Sequence, residues 1–166
     1  DGNMRSGPMT PGEIRQCVMD VSAWFGRHVD TARGTPDDEL RRFSHNHSLT
    51  LPLALEELYL GTSGIWFDDK VMCSLQEAAK LKDEIKGDQY FPFANDDDEG
   101  LLVVNCDDEA GYEYDLHDGL GGKICNSFSD YLEEFRNGLL ADHFEFISGV
   151  GTIEKVNITR IPRRGK

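Results

Sequence analysis

The hydrophobic pattern between residues 90 and 125 alternates with a period of two, and this segment constrains the fold more than any other. Apolar and aromatic residues occur there in short runs, at 90–93, 101–106 and 112–114. Clusters of Asp, Asn and Gly separate these runs, at 95–100, 107–111 and 118–122. Because each cluster favours a chain reversal, the segment predicts an antiparallel meander.

Helical patterns lie on both sides of this meander. Thr10 and Glu13 form a capping-box pattern, and the apolar repeat behind them predicts a helix over 11–33. Further helices are predicted from 51 to 61, from Ser74 to about residue 86, and from Ser127 onward. Residues 34–50 predict a loop with one short helical turn, and residues 65–72 predict a hairpin arm interrupted by two aspartates. Residues 143–147 and 151–158 are weaker strand candidates.

The element order predicts an α+β fold in a single domain. We expect a mixed, largely antiparallel sheet of about five to six strands with helices packed against it. The length of 166 residues suits one hydrophobic core. We expect three segments: residues 1–9 as a disordered or artificially added leader, residues 10–154 as the domain, and residues 155–166 as a basic C-terminal tail.

Acidic residues are concentrated in the middle of the chain. The formal net charge is −14. Residues 55–154 hold 24 acids and six bases, and residues 87–122 hold eleven acids without a single Lys or Arg. Such a field repels phosphate backbones and anionic membrane surfaces and attracts basic proteins. We therefore expect a basic protein partner, with neither nucleic acid nor a membrane as a binding target.

Cysteine usage gives no sign of a metal or redox site. The four cysteines are widely separated, without a C-x-x-C pair, which favours reduced thiols in a cytoplasmic protein. The loop at 95–100 begins like a calcium-binding loop, but Cys106 stands at its twelfth position, where Glu would be required. A solvated acidic hairpin turn is the favoured interpretation, and no cofactor or metal is expected.

Four segments together resemble the SUKH superfamily, which includes the yeast cell-wall assembly regulator domain and many bacterial toxin-immunity proteins. The first two are Leu51-Pro52 with Leu55, Leu58 and Tyr59, and the turn at 61–65, in which Ser63 stands where the family usually has asparagine. The others are Phe91-Pro92-Phe93-Ala94, followed by Gly100 and a strand ending at Asp107, and Ser127-Phe128 with Tyr131-Leu132. The resemblance implies a binding domain without shared catalytic residues.

From the charge pattern and this resemblance we expect a non-enzymatic protein-interaction domain that binds a basic partner through an acidic face, as a regulatory or scaffold subunit. The candidate contact residues are Trp66, Asp68, Asp69, Asp96, Asp97, Asp98, Glu99, Asp107, Asp108, Glu109, Glu113 and Asp115. Two alternatives stay open. One is a bacterial immunity protein that neutralises a nuclease-type toxin, and the other is a hydrolase centred on His117 and nearby carboxylates.

Overall fold

A computed structural model describes residues 7–31 and 34–155. Within these ranges the chain forms five helices and eight strands. The helices are α1 (Pro11–Gly26), α2 (Asp37–Asn46), α3 (Leu53–Gly61), α4 (Leu75–Lys82) and α5 (Phe128–Leu140). The strands are β1 (Trp66–Phe67), β2 (Lys70–Met72), β3 (Tyr90–Asn95), β4 (Gly100–Asn105), β5 (Gly111–Asp115), β6 (Gly119–Cys125), β7 (Phe144–Ile147) and β8 (Gly151–Glu154). The predicted α+β class is confirmed.

Six strands form one sheet in the order β1-β2-β3-β4-β5-β6, and every neighbouring pair is antiparallel. β7 and β8 form a separate two-stranded sheet. Pro92 lies in the interior of β3 beside a register shift, although proline cannot donate to a strand neighbour. It is tolerated because β2 pairs only with Ala94 and Asn95 and does not extend alongside Pro92.

The predicted start of α1 is confirmed, but its end is not at residue 33. Thr10 Oγ1 accepts from the Glu13 N–H at 3.2 Å, and Glu13 Oε1 accepts from the Thr10 N–H at 2.8 Å. The helix ends at Gly26 in a turn. The apolar pattern continues beyond the helix because His28 still packs on Trp24, with ring centroids 4.6 Å apart.

Residues 34–50 contain a complete helix, α2, where only one helical turn was expected. Its apolar signal is weak because Leu40 and Phe43 are its only buried residues. Charge pairs one turn apart support it instead: Arg41 contacts Asp37 at 2.9 Å, and Arg42 contacts Asp38 at 3.7 Å. The prediction for α4 is wrong at its end, since the helix ends at Lys82 and not near residue 86.

The sheet buries side chains on both faces. One face packs Phe91, Phe93, Leu102 and Val104 into the main core, which is closed by α1, α3 and α5. The other face carries a smaller cluster of Ile85, Leu101, Val103 and Tyr114. The Tyr114 hydroxyl accepts from the Lys86 backbone N–H at 2.9 Å, which fixes the chain after α4 to this face.

The boundaries expected for the domain are only partly covered. Residues 1–6 of the expected leader lie outside the described part, whereas Met9 packs into the core and is 6% exposed. Residues 156–166 of the expected basic tail also lie outside it, and Lys155 pairs with Asp142 at 2.7 Å. Among the described residues, no helix is both long enough and apolar enough to cross a lipid bilayer.

Candidate binding surface

Three acidic turns meet at one end of the six-stranded sheet. The turn between β1 and β2 carries Asp68 and Asp69, and Lys70 at its end contacts Asp96 of the β3–β4 turn at 3.5 Å. The β3–β4 turn also contacts the β5–β6 turn: the Glu99 carbonyl oxygen accepts a hydrogen bond from the Leu116 N–H at 2.9 Å. We call this surface, formed by Asp68, Asp69, residues 96–99, Asp115 and Asp118, the acidic end.

Five of the eight carboxylates of the acidic end fall into two groups. Asp96 Oδ1 accepts from the backbone N–H groups of Asp98 and Gly100, at 2.9 and 3.1 Å. Asp115 Oδ1 accepts in the same way from His117 and Asp118, at 2.7 and 3.0 Å. These bonds shape the turns, and in Asp115 they also lower the pKa of the carboxyl.

The second group points into solvent and is available to a partner. Asp97, Asp98 and Glu99 are all exposed. In the part of the chain that the structure describes, no salt bridge involves these three side chains. Lys70 is the cation within the acidic end, and it is already held between Asp69 at 3.2 Å and Asp96 at 3.5 Å.

The remaining acidic candidates of the meander lie elsewhere. Asp107, Asp108 and Glu109 form the β4–β5 turn, at the opposite end of the sheet, because successive hairpin turns in a meander alternate between the two ends. Asp108 Oδ1 accepts from the Ala110 N–H at 2.9 Å, and the Glu109 carbonyl accepts from the Phe128 N–H at 2.8 Å. The acidic candidates of the meander, expected on one face, therefore lie at two opposite ends of the sheet.

Glu113 and Trp66 belong to strands and not to either set of turns. Glu113 projects from β5 into a small cavity of about 140 Å³ beside Asp68, Lys70 and Tyr131. Trp66 is half-buried and packs against Phe146 with ring centroids 6.1 Å apart, so most of its ring stabilises the fold. Only Glu113 adds charge near the acidic end.

A larger cleft borders the acidic end, and the sequence did not indicate it. It has a volume of about 540 Å³ and lies between α5, the β1–β2 turn and the β7–β8 sheet. Tyr131, Glu134 and Phe135 of α5, Phe144 of β7 and Glu154 of β8 line it together with Asp68. The one local signal was the placement of Tyr131, Glu134 and Phe135 within a single helical turn, which puts them on one face.

Asp68 joins the acidic end to this cleft. Its backbone is left-handed, with φ of +55°. Asp68 keeps contact with solvent, but partial burial of its carboxyl beside the cleft raises the pKa of this group, and the charge of Asp69 raises it further. Glu154 and Glu113 add to the increase, whereas Lys70 opposes it. The carboxylates therefore repel one another more than the local cation compensates.

His117 and Cys125 do not form a nucleophile–base pair. His117 is exposed in the β5–β6 turn, while Cys125 lies at the far end of β6. Seven residues of strand place them about 20 Å apart, too far for a base to activate a thiol. Burial also raises the pKa of the Cys125 thiol, which disfavours the nucleophilic thiolate.

The described residues form no evident metal-binding site. They contain no group of three or more His, Cys, Asp or Glu side chains placed to hold an ion. In the loop that resembled a calcium site, Asp96 is engaged with backbone N–H groups. All four cysteines are free thiols.

Neither the protein-family models nor the curated proteins contain a match to this chain. Carboxylates on turns beside an apolar cavity are suited to holding a cationic surface.

Proposed function

We propose that this chain is a non-catalytic protein-interaction domain of the SUKH type, which binds a basic partner protein through its acidic end. One observation carries the proposal: the β1–β2, β3–β4 and β5–β6 turns meet at a single end of the sheet. Together they present eight carboxylates and the single ammonium group of Lys70. Charge of one sign on one surface speeds the encounter with an oppositely charged protein.

The packing of the segments that resemble the SUKH superfamily supports this assignment. Tyr59 of α3 lies against Phe91 of β3, with ring centroids 5.3 Å apart. Phe93, two residues later, lies against Phe128 at the start of α5, at 4.9 Å. Leu132 is fully buried in the same core. The residues that carry the resemblance thus form one packed unit behind the sheet, as structural motifs of a family do.

Several features favour binding over catalysis. The acidic end consists of exposed turns, and the carboxylates of Asp96 and Asp115 are used to shape them. The pKa of Cys73 and that of Cys106 are both raised by burial, to about 12, so these thiols are not poised as nucleophiles. Four free thiols also favour the reducing cytoplasm as its location.

The proposal is tested with two charge-matched triple variants. Asp97→Asn, Asp98→Asn and Glu99→Gln neutralise the acidic end, and Asp107→Asn, Asp108→Asn and Glu109→Gln remove the same charge from the opposite end. The wild type and both variants are immobilised and exposed to an extract of the source organism. A specific basic partner should be captured by the wild type and the second variant and lost with the first.

Association kinetics with the captured protein complete the test. We expect neutralisation of 97–99 to slow association about tenfold at low salt and to flatten its dependence on ionic strength. Neutralisation of 107–109 should leave both nearly unchanged. Equal association rates for the two variants would show that general negative charge, and not the acidic end, governs binding.

A further inference from the structure

The cleft beside the acidic end has an aromatic floor. Tyr131 and Phe135 lie one turn apart on α5, and Phe144 of β7 packs against Phe135 with ring centroids 5.7 Å apart. Phe135 is buried, whereas Tyr131 and Phe144 are half-buried, so parts of their rings face the open cavity. A volume of about 540 Å³ is in the range of pockets that hold small ligands and exceeds the need of one long side chain.

Carboxylates stand at the rim of this floor. Asp68, Glu134 and Glu154 line the cleft and are exposed. Over 7–31 and 34–155, none of the three forms a salt bridge. Tyr131 and His143 are the other ionisable side chains of the lining. A cation that enters the cleft is therefore attracted by several carboxylates and has no resident ammonium or guanidinium group to displace.

A guanidinium group fits such a cleft better than an ammonium group. It is planar and weakly hydrated, and it stacks on aromatic rings while its N–H groups bond carboxylates at its edge. The ammonium group of lysine is strongly hydrated and offers no flat surface to a ring. An aromatic floor with a carboxylate rim therefore discriminates between the two side chains.

We propose that the cleft is the anchor pocket for an arginine side chain of the basic partner, with the guanidinium group over Tyr131 and Phe144 and paired with Glu134 and Glu154. This inference rests on the proposed function, because the partner must first be held at the acidic end. Asp68 belongs to both surfaces. The two surfaces are therefore adjacent, and a side chain of a partner bound at the acidic end can enter the cleft.

The probe is N-acetyl-arginine amide, titrated into the complete 166-residue chain and followed by ¹H–¹⁵N NMR. N-acetyl-lysine amide and the neutral isostere N-acetyl-citrulline amide are the comparison ligands. Arginine amide should bind in the millimolar range and shift the backbone amide signals of Tyr131, Gly138, Phe144 and Glu154. Lysine amide should bind at least threefold more weakly, and citrulline amide should cause no shifts at the same concentration.

A pair of variants isolates the rim carboxylates. Glu134→Gln with Glu154→Gln should weaken arginine binding about fivefold, as expected for two partly exposed ion pairs. Asp107→Asn with Asp108→Asn removes the same charge at the far end of the sheet and should leave the affinity unchanged. The spectra report directly whether each variant is folded.

Three results would overturn the anchor pocket. The first is a set of arginine-induced shifts confined to the acidic turns, and the second is equal binding of arginine amide and lysine amide. The third is tighter arginine binding by a chain that ends at Lys155, because this result would identify residues 156–166 as the occupant of the cleft. None of these results affects capture of a protein by the acidic end. Conversely, equal loss of capture in both triple variants would reject the proposed function while the arginine titration could still succeed.

Discussion

The backbone N–H of Thr152 donates to the carbonyl oxygen of Asp68 at a distance of 2.9 Å. The Thr152 hydroxyl donates to the neighbouring hairpin as well, to the carbonyl oxygen of Trp66 at 3.1 Å. Thr152 is 1% exposed, so both bonds are shielded from water. They attach the β7–β8 sheet to the β1–β2 hairpin and thereby hold together two walls of the cleft.

Removal of the Thr152 hydroxyl should destabilise the fold. Thr152→Val keeps the shape of the side chain but leaves the Trp66 carbonyl without this donor. We expect the free energy of unfolding to fall by about 1–2 kcal/mol, the usual cost of a lost buried hydrogen bond. Urea denaturation measures it. Thr50→Val, at an exposed position, is the control and should change stability by less than about 0.5 kcal/mol; equal losses in both variants would contradict the assigned role.

Gly138 should be irreplaceable on α5. A Cβ atom at this position would overlap Cε2 of Phe144 and lie 3.2 Å from its Cδ2. Gly138→Ala should therefore displace the Phe144 ring and lower the free energy of unfolding by about 1–3 kcal/mol, although alanine favours helices. Gly12→Ala on α1 is the control, because its nearest contact is Thr10 Oγ1 at 4.0 Å. A Gly138→Ala protein as stable as the Gly12→Ala protein would disprove the close packing.

Asp68→Asn should stabilise the protein at neutral pH. The pKa of Asp68 is raised in the folded state, chiefly by burial and then by neighbouring carboxylates. Ionisation of this group therefore disfavours folding above the folded pKa, and the penalty disappears below the ordinary value of 3.8. Asparagine tolerates the left-handed backbone at φ of +55°. Thermal unfolding should show a higher midpoint for the variant at pH 7 and a vanishing difference toward pH 3.

Asp142→Asn is the matched control, with the opposite sign. Asp142 also has a left-handed backbone, with φ of +65°, but its pKa is lowered by the hydrogen bond and the charge of Lys155. Its stabilising contribution is present above pH 3.8 and is lost as the pH falls through the lower folded pKa. This variant should be less stable than the wild type at pH 7. Changes of the same sign in both variants would contradict the assigned charge environments.

The thiols should react slowly in the folded protein. Cys73 and Cys106 have pKa values of about 12 because they are buried, which leaves roughly 10⁻⁴ of each as thiolate at pH 8. Cys17 is fully buried. A thiol-specific chromogenic disulfide should therefore label the native chain over hours and all four cysteines within minutes in guanidinium chloride. Rapid labelling of Cys73 or Cys106 in the native chain would contradict the raised pKa values of these thiols.

Much of the architecture could be predicted from local patterns. The capping boxes at Thr10 and Ser74 fix the first residues of α1 and α4 because each satisfies backbone donors within one turn. Helix α2 was missed because Leu40 and Phe43 are its only buried residues. The ends of α1 and α4 differ from the prediction because packed residues follow each helix: His28 lies on Trp24, and Ile85 is buried.

The contact surface was less predictable than the fold. The division of the acidic residues between two ends follows from antiparallel pairing, which the period of two already implied. The pairing pattern of the meander does not predict that Asp68 and Asp69 lie at the same end as the β3–β4 turn. This position depends on the pairing of β2 with β3, and α4 separates these two strands along the chain. A local pattern contains no information on which distant strand completes the sheet.

The sequence by itself determined the α+β class, the positions of the turns and the concentration of negative charge between Gly87 and Gly122, because these depend on spacing and composition along the chain. The tertiary structure alone decided which carboxylates share a surface and where a cavity opens. The contact of Thr152 with Asp68 joins residues 84 positions apart. Such contacts arise from the packing of complete elements, so the cleft they enclose has no signature in any single segment.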